Sequence, residues 1–583
     1  MMNCLQKWRT PLLVILPLLA LAPATVLASA PVIMNINGLN STLDNGLVKF
    51  SFGSDGSAQE VWKDGTNLIT HLSGAIRDPS KNRSFYLDYY SSGVNDFIPK
   101  RVEVIRQTPE LAHIAYIDDS GGKLRLEYHL IMKKGISGLY SYVVASNPGQ
   151  EAVNISELRN VYRFDASRMN QLFNSKHRGT PLLYSELEQL PKVQDETWRL
   201  TDDSVYSKYD FAGYIRESPY WGVMGNGFGA WLVPASYEYY SGDALKQELL
   251  VHQDAIILNY MTGSHFGTPD LVAQPGWEKL YGPWLLYINQ GSDTQLIADV
   301  NRQASHERAS WPYRWVEDSR YPQQRSTLTG KLNISVPKAM VVLTSSDEPF
   351  DIQTHGYFFS AKTKRDGLFS LHNVPAGKYH LSVYALGGQQ IGILAQRSIT
   401  VEKQQQNLGT IKVEQADRII WSIGKADRRA GEFKWGDRPR NYQWQTQVPA
   451  NLTFEIGKSK DSQDWYYAQT KPGSWIIQFN THVDASPRVL NIAIAAASNN
   501  GMTTPTTTPQ LAVKVNDQRL STLKYSNDKA IYREAMQSGK YHEVHIPLPE
   551  GILKKGVNRV TLELQGGMVM YDAINLSEPS EEE

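Results

Sequence analysis

LRLEYHLIMKKGISGLYSYVVASNPG, residues 124–149, is the stretch on which the fold turns. Apolar, aromatic and β-branched residues come in short alternating runs broken by turn residues, and helical periodicity is rare, so the stretch reads as β-strands. The same texture extends outward, back to NGLVKFSFGSDGSAQEVWKDG at 45–65 and on to LYGPWLLYINQG at 280–291. So many strands over residues 31–310 predict a large sandwich of antiparallel sheets. GNGFGAW at 225–231 reads as a turn between strands, because the helix that must follow a dinucleotide-binding glycine motif is missing. LIADVNRQASHERASW, from residue 296, is the clearest helix.

After Trp311, WPYRWVEDSRYPQQR is aromatic, charged and proline-punctuated, as expected of an interdomain linker packed against both neighbours. A second unit, 326–415, has five or more strands in under a hundred residues and suggests an immunoglobulin-like β-sandwich, with Lys364-Arg365-Asp366-Gly367 as a hairpin turn. A third, 417–578, holds SWIIQFNTHV, RVLNIAIAAA, YHEVHIPLP and NRVTLELQ, and fits a jelly roll of the kind found in carbohydrate-binding modules. Lys7 and Arg9, an apolar run Pro11–Ala22 and the small residues around Val26-Leu27-Ala28 have the layout of a secretory signal, residues 1–28, with cleavage after Ala28. The expected location is therefore secreted, extracellular or periplasmic. Cys4, the only cysteine, lies within that segment, so the mature chain would rest on large cores rather than disulfides.

Lys plus Arg and Asp plus Glu balance at 59 each. No overall field attracts a polyanion, which disfavours nucleic acid and requires a local basic cluster for any acidic substrate. No later segment is apolar enough for a membrane span. Aromatic residues make up 10% of the chain, with 31 tyrosines and 14 tryptophans. Their faces suit sugar rings and sandwich cores alike.

Two segments carry candidate chemistry: YSKYDFAGY around Lys208 and GSHFGTPDL around His265. A uronic acid inside a polysaccharide can be cleaved by removing its C5 proton and expelling the oxygen at C4. That needs a base, a cation for the carboxylate as it gathers enolate charge, and an acid for the leaving oxygen. Lys208 can be the base if burial or a neighbouring cation lowers its pKa. Arg163, in ELRNVYRFDASRMN, could be that neighbour and could grip the carboxylate. His265 can donate a proton near neutral pH. Most lysines are nonetheless solvated charges and most histidines packing residues, so spacing alone leaves the set open.

Taken with SGDALKQELL, HGYFFSAKTKRDGLFSLHNVPAGKYHLSVYA, IIWSIGKADRRAGEF, DWYYAQ, NIAIAAAS and VMYDAINL, these motifs resemble the rhamnogalacturonan lyases of polysaccharide lyase family 4, in one order from about residue 31 to 576. The resemblance implies an all-β chain: an N-terminal β super-sandwich of the galactose-mutarotase kind, a fibronectin type III-like sandwich and a jelly roll resembling a carbohydrate-binding module. It implies endo-type β-elimination in rhamnogalacturonan I, between rhamnose and O4 of galacturonate. Lys208 then looks like the base at C5, His265 like the acid for O4, Arg163 like the arginine on the carboxylate and Tyr260 like a tyrosine of the same cleft. Lys246, in a family-like segment, is read as a structural support.

Three rivals stand beside this. A secreted carbohydrate-binding protein would keep the sandwiches without chemistry. A glycoside hydrolase would need two placed carboxylates, for which Asp165, Asp202, Asp203, Asp210 and Asp270 lie near the motifs. A mutarotase or epimerase rests on fold alone. The expectations are a monomer acting on a polysaccharide, with no nucleic acid or membrane partner. No catalytic metal is required, and a structural calcium on a sandwich loop stays open.

Overall fold

The structure, a computed structural model, describes residues 29–72, 83–333, 336–402, 404–413, 417–437, 442–482, 486–501 and 505–580. The expected signal segment lies outside the described residues. Among those described, no helix is long and apolar enough to cross a membrane.

The first domain is a sandwich built on a nine-stranded antiparallel sheet that runs from Arg178–Gly179 at one edge to Arg101–Gln107 at the other. Glu278–Gln290, Gly138–Ser146 and Arg125–Lys133 lie side by side at its centre. These strands are buried along nearly their whole length, because both faces of the sheet are covered. One face packs on two five-stranded sheets through Leu126, Leu130, Val143, Trp284 and Leu286. The other is covered by the helix Asp293–Ser310 and by Trp311, Tyr313, Val316 and Tyr321 of the linker. The helix begins in a capping box, Ser292 with Gln295, and its buried Glu307 accepts from Tyr140 Oη at 2.8 Å. GNGFGAW is a two-residue hairpin: Asn226 and Gly227 have φ of 48° and 83°, the left-handed pair that matches strand twist.

The second domain pairs a three-stranded sheet with a four-stranded one. Here one expectation is corrected. Lys364–Gly367 is a tight turn, with Gly367 N–H donating to Lys364 O at 3.0 Å, but its flanking strands Phe358–Lys362 and Leu368–Pro375 belong to different sheets. The turn crosses the sandwich, because alternation continues on both sides of it and does not reveal which sheet each strand joins. The third domain is a sandwich of a four- and a five-stranded sheet.

The five-stranded sheet that contains Glu157–Arg163 and Ile256–Gly263 turns its inner face, with Leu158, Tyr162, Ile257 and Met261, to the first domain's core. Its outer face, with Val161, Leu258 and Tyr260, merges into the apolar core of the third domain. This junction positions the site.

Candidate active site

Glu157–Arg163 reads Glu-Leu-Arg-Asn-Val-Tyr-Arg. Alternation puts Leu158 and Tyr162 inward, leaving Arg159, Val161 and Arg163 on the outer face. Arg159 is locked there. Its Nε and Nη2 donate to the two oxygens of Asp88 at 2.8 and 3.1 Å, and Nη1 donates to Tyr260 Oη at 3.0 Å. A bidentate pair fixes a guanidinium plane as well as its charge.

His265 sits in the loop that follows Ile256–Gly263 and is 7% exposed. Its Nε2 is 3.2 Å from Glu157 Oε1, and its Nδ1 is 2.6 Å from Glu248 Oε1. That second oxygen lies off the N–H direction, so the contact is one of charge more than a straight hydrogen bond. Burial opposes a charged ring, but the two carboxylates overcome it and raise the pKa of His265 above 6.5. Burial also opposes the charge of Glu157, yet His265, Arg159 and Lys208 hold that carboxyl down at about 2. Tyr260 packs edge-on against the imidazole, ring centres 5.0 Å apart.

Glu248 is held from behind. Lys246 is buried, with Nζ 3.2 Å from Glu248 Oε2, 3.1 Å from Thr268 Oγ1, and donating to Gly263 O. Lys246 thus supports the carboxylate that faces His265 and stands one residue removed from the imidazole. Gly263 is required here because a Cβ would collide with Glu248 Oε2 and crowd the Tyr260 ring.

Lys208 lies in the turn after Val205–Ser207, anchored by its N–H to Glu196 O at 2.9 Å. Its side chain keeps an edge to solvent, yet burial still lowers its pKa below 10.5. Glu196 and Glu157 oppose that shift, while Arg159 and Arg533 reinforce it. The sequence reading assigned the neighbouring charge to Arg163. Arg159, four residues earlier in the same strand, is within charge reach of Lys208, and Arg163 stands at the strand's end, where its backbone N–H donates to Ser84 Oγ at 2.8 Å. Arg163 is buried and within charge reach of His252, which burial, then Lys208, Arg163 and Arg159, keep well below 6.5.

The structure therefore brings Lys208, His265 and Tyr260 together around Arg159, and His252 lies within charge reach of Lys208, Arg159 and Arg163 alike. Sequence reading missed Glu157, Arg159, Glu248 and Arg533. Glu157 and Arg159 had a signal in the chain, since charges at alternate positions of an otherwise apolar strand cannot all face a core. Glu248 and Arg533 had none that could be separated from ordinary surface charge. Among the described residues, no three or more His, Cys, Asp or Glu are grouped so as to hold a metal ion.

A half-buried lysine, a histidine between two carboxylates and a fixed guanidinium thus share one face of a β-sandwich, an arrangement whose chemistry suits a polysaccharide lyase of the elimination type. Residues 334–408 match polysaccharide lyase family 4, domain II, and residues 419–576 match its domain III, CBM-like. Over 577 residues, 98% of both chains, the chain is 70% identical to a rhamnogalacturonate lyase of Dickeya dadantii. It is 26% identical to rhamnogalacturonate lyase B of Emericella nidulans, over 82% of this chain and 80% of that one. A putative aldose 1-epimerase of Escherichia coli covers 44% of this chain at 11% identity, with a TM-score of 0.25, too low to argue from. The chain belongs to polysaccharide lyase family 4, the family of the rhamnogalacturonate lyases, and is an enzyme of that class.

Proposed function

We propose that the enzyme is exported and, as a monomer, cleaves the rhamnogalacturonan I backbone by β-elimination between rhamnose and O4 of galacturonate. Lys208 takes the C5 proton, His265 gives a proton to the leaving O4, and Arg163 holds the galacturonate carboxylate, with Tyr260 in the same cleft. The single observation that carries this reading is the placement of the two titrating groups: His265 lies between Glu157 at 3.2 Å and Glu248 at 2.6 Å, and Lys208 is half-buried within charge reach of Arg159 and Arg533. Burial, with Arg159 and Arg533, lowers the pKa of Lys208 below 10.5, while Glu248 and Glu157 raise that of His265 above 6.5. Both shifts run in the direction elimination calls for, toward a lysine that gives up its proton more easily and a histidine that holds its own more tightly. Arg159, already committed to Asp88 and Tyr260, supplies fixed positive field as enolate charge develops. The cationic side chains take the carboxylate's charge, so no catalytic metal enters.

The test is ultraviolet absorbance while the purified enzyme acts on rhamnogalacturonan I, with polygalacturonan in parallel. A rise on the first substrate alone, unchanged in chelator, is expected from the unsaturated uronate. Reducing ends without absorbance would replace the reading by a hydrolase, and a chelator-sensitive rise would bring a metal into it. Lys208→Ala and His265→Ala should each lose at least 100-fold in kcat, roughly the scale of acid–base catalysis, in protein that circular dichroism shows to be folded. Wild-type turnover in either would remove that residue from its role.

A further inference from the structure

We propose that Arg533, carried by the third domain, is a positioning residue of the elimination centre: its guanidinium shapes the charge around Lys208 and holds the loop of His265, so the centre is complete only with the third domain docked. The inference rests on Lys208 as base and goes beyond it by assigning a catalytic duty to a domain that resembles a carbohydrate-binding module.

Arg533 ends the 3-10 turn Ile531–Arg533. Its Nε and Nη2 lie 2.9 and 2.8 Å from Asp195 Oδ2, and Nη1 donates to the backbone carbonyl of His265 at 3.2 Å. Its guanidinium carbon stands 5.1 Å from the centre of the Tyr209 ring. Tyr209 follows Lys208 in the chain and donates to the same Asp195 oxygen at 2.8 Å. One side chain from the third domain therefore touches the residue next to the base, the loop of the acid and the carboxylate between them. The segment that carries it is stitched to the first domain. Met536 N–H donates to Gln247 Oε1 at 2.9 Å, and Gln247 Nε2 donates to Ser538 O at 2.5 Å. Gln247 is the neighbour of Glu248, so the same dock also borders the acid's carboxylate partner. At Gly267, two residues past His265, a Cβ would strike the backbone of Lys540, so the loop depends on this contact.

The charged groups that face Lys208 are Glu196 and Glu157, which favour its ammonium form, and Arg159 and Arg533, which disfavour it. Asp195 and His252 also lie within charge reach. Removing Arg533 subtracts one opposing cation and leaves Asp195 without its guanidinium partner. Both changes favour the protonated, inactive lysine.

The experiment measures kcat/KM against pH for the full chain and for Arg533→Met, Arg533→Lys, Asp195→Asn and Lys208→Ala, by product absorbance. In Arg533→Met the acid limb should move to higher pH, with roughly tenfold lower activity at neutrality, the loss that one unit of pKa produces. Arg533→Lys should restore the limb's position, and Asp195→Asn should move it the other way. A residue that merely tied the domains together would lower the rate and leave the limb in place, and that result in Arg533→Met overturns the proposal. Should Arg533→Met fail to fold, Arg533→Gln decides: a limb moved to higher pH supports the proposal and an unmoved one overturns it. Lys208→Ala separates the two readings. If it is inactive while both other limbs stay fixed, only the Arg533 inference fails; if it is active, the base assignment fails first.

Discussion

The pKa of His265 is raised because Glu248 and Glu157 flank its ring, and the energetic case rests mainly on Glu248, which is fully buried and cannot be screened by water. Burial opposes the charge of Glu248 too, but His265 and Lys246 keep it ionised. Glu248→Gln preserves shape and removes the charge. That lowers the pKa of His265, so the proton should be lost at lower pH and the alkaline limb of kcat/KM should move down. Activity above neutrality should fall severalfold, while the acid limb, set by Lys208, stays in place. An unmoved alkaline limb in the pH profile would remove Glu248 from the acid's machinery.

At the scale of elements, the nine-stranded sheet carries a polar seam on its linker side. His113 Nε2 and His129 Nδ1 are 2.9 Å apart, His129 Nε2 is 3.0 Å from Glu127 Oε2, and Arg320 of the linker donates to both Glu127 oxygens at 3.0 and 2.6 Å. Burial, and then the neighbouring His129, hold the pKa of His113 down to about 3 from an ordinary 6.5. A histidine depressed in the fold binds its proton more readily in the unfolded chain, so its contribution is complete above 6.5 and fades as pH falls toward 3. The urea midpoint should therefore drop across that window, and His113→Gln should flatten part of the slope. An identical slope in that variant would place the acid sensitivity elsewhere. The strands and the helix of this region were legible from alternation and from one helical run, because both periods are local properties. The seam was not: His113, His129 and Arg320 read as ordinary polar residues until the strand register and the linker bring them together. The Lys364–Gly367 turn shows the same boundary, since turn chemistry specifies a reversal of the chain and leaves open which sheet each arm joins.

At the scale of the molecule, the three domains are joined by buried polar contacts as well as apolar area. Arg325, at the start of the second domain's first strand, donates from Nη1 to both oxygens of Glu238 in the first domain at 2.9 and 2.8 Å, and both side chains are almost wholly buried. Glu238→Ala leaves that guanidinium charge uncompensated, at a cost of about 3–5 kcal/mol. In calorimetry the second domain should then melt as a separate, earlier transition; a single transition at the wild-type temperature would show that apolar contact alone holds the junction.

By itself the sequence determined an all-β chain with a large first sandwich and two smaller ones, and through the resemblance of its motifs it singled out Lys208 and His265 as candidates for uronate elimination. The fold follows from period and turn residues, each contained within a short stretch, whereas spacing alone left the two residues open. Only the tertiary structure decided which guanidinium groups stand within charge reach of Lys208, which carboxylates flank His265, and that Arg533 reaches this cluster from the third domain. A pKa is set by burial and by charges within a few ångströms, and those neighbours come from strands and loops that only the folded chain brings into contact.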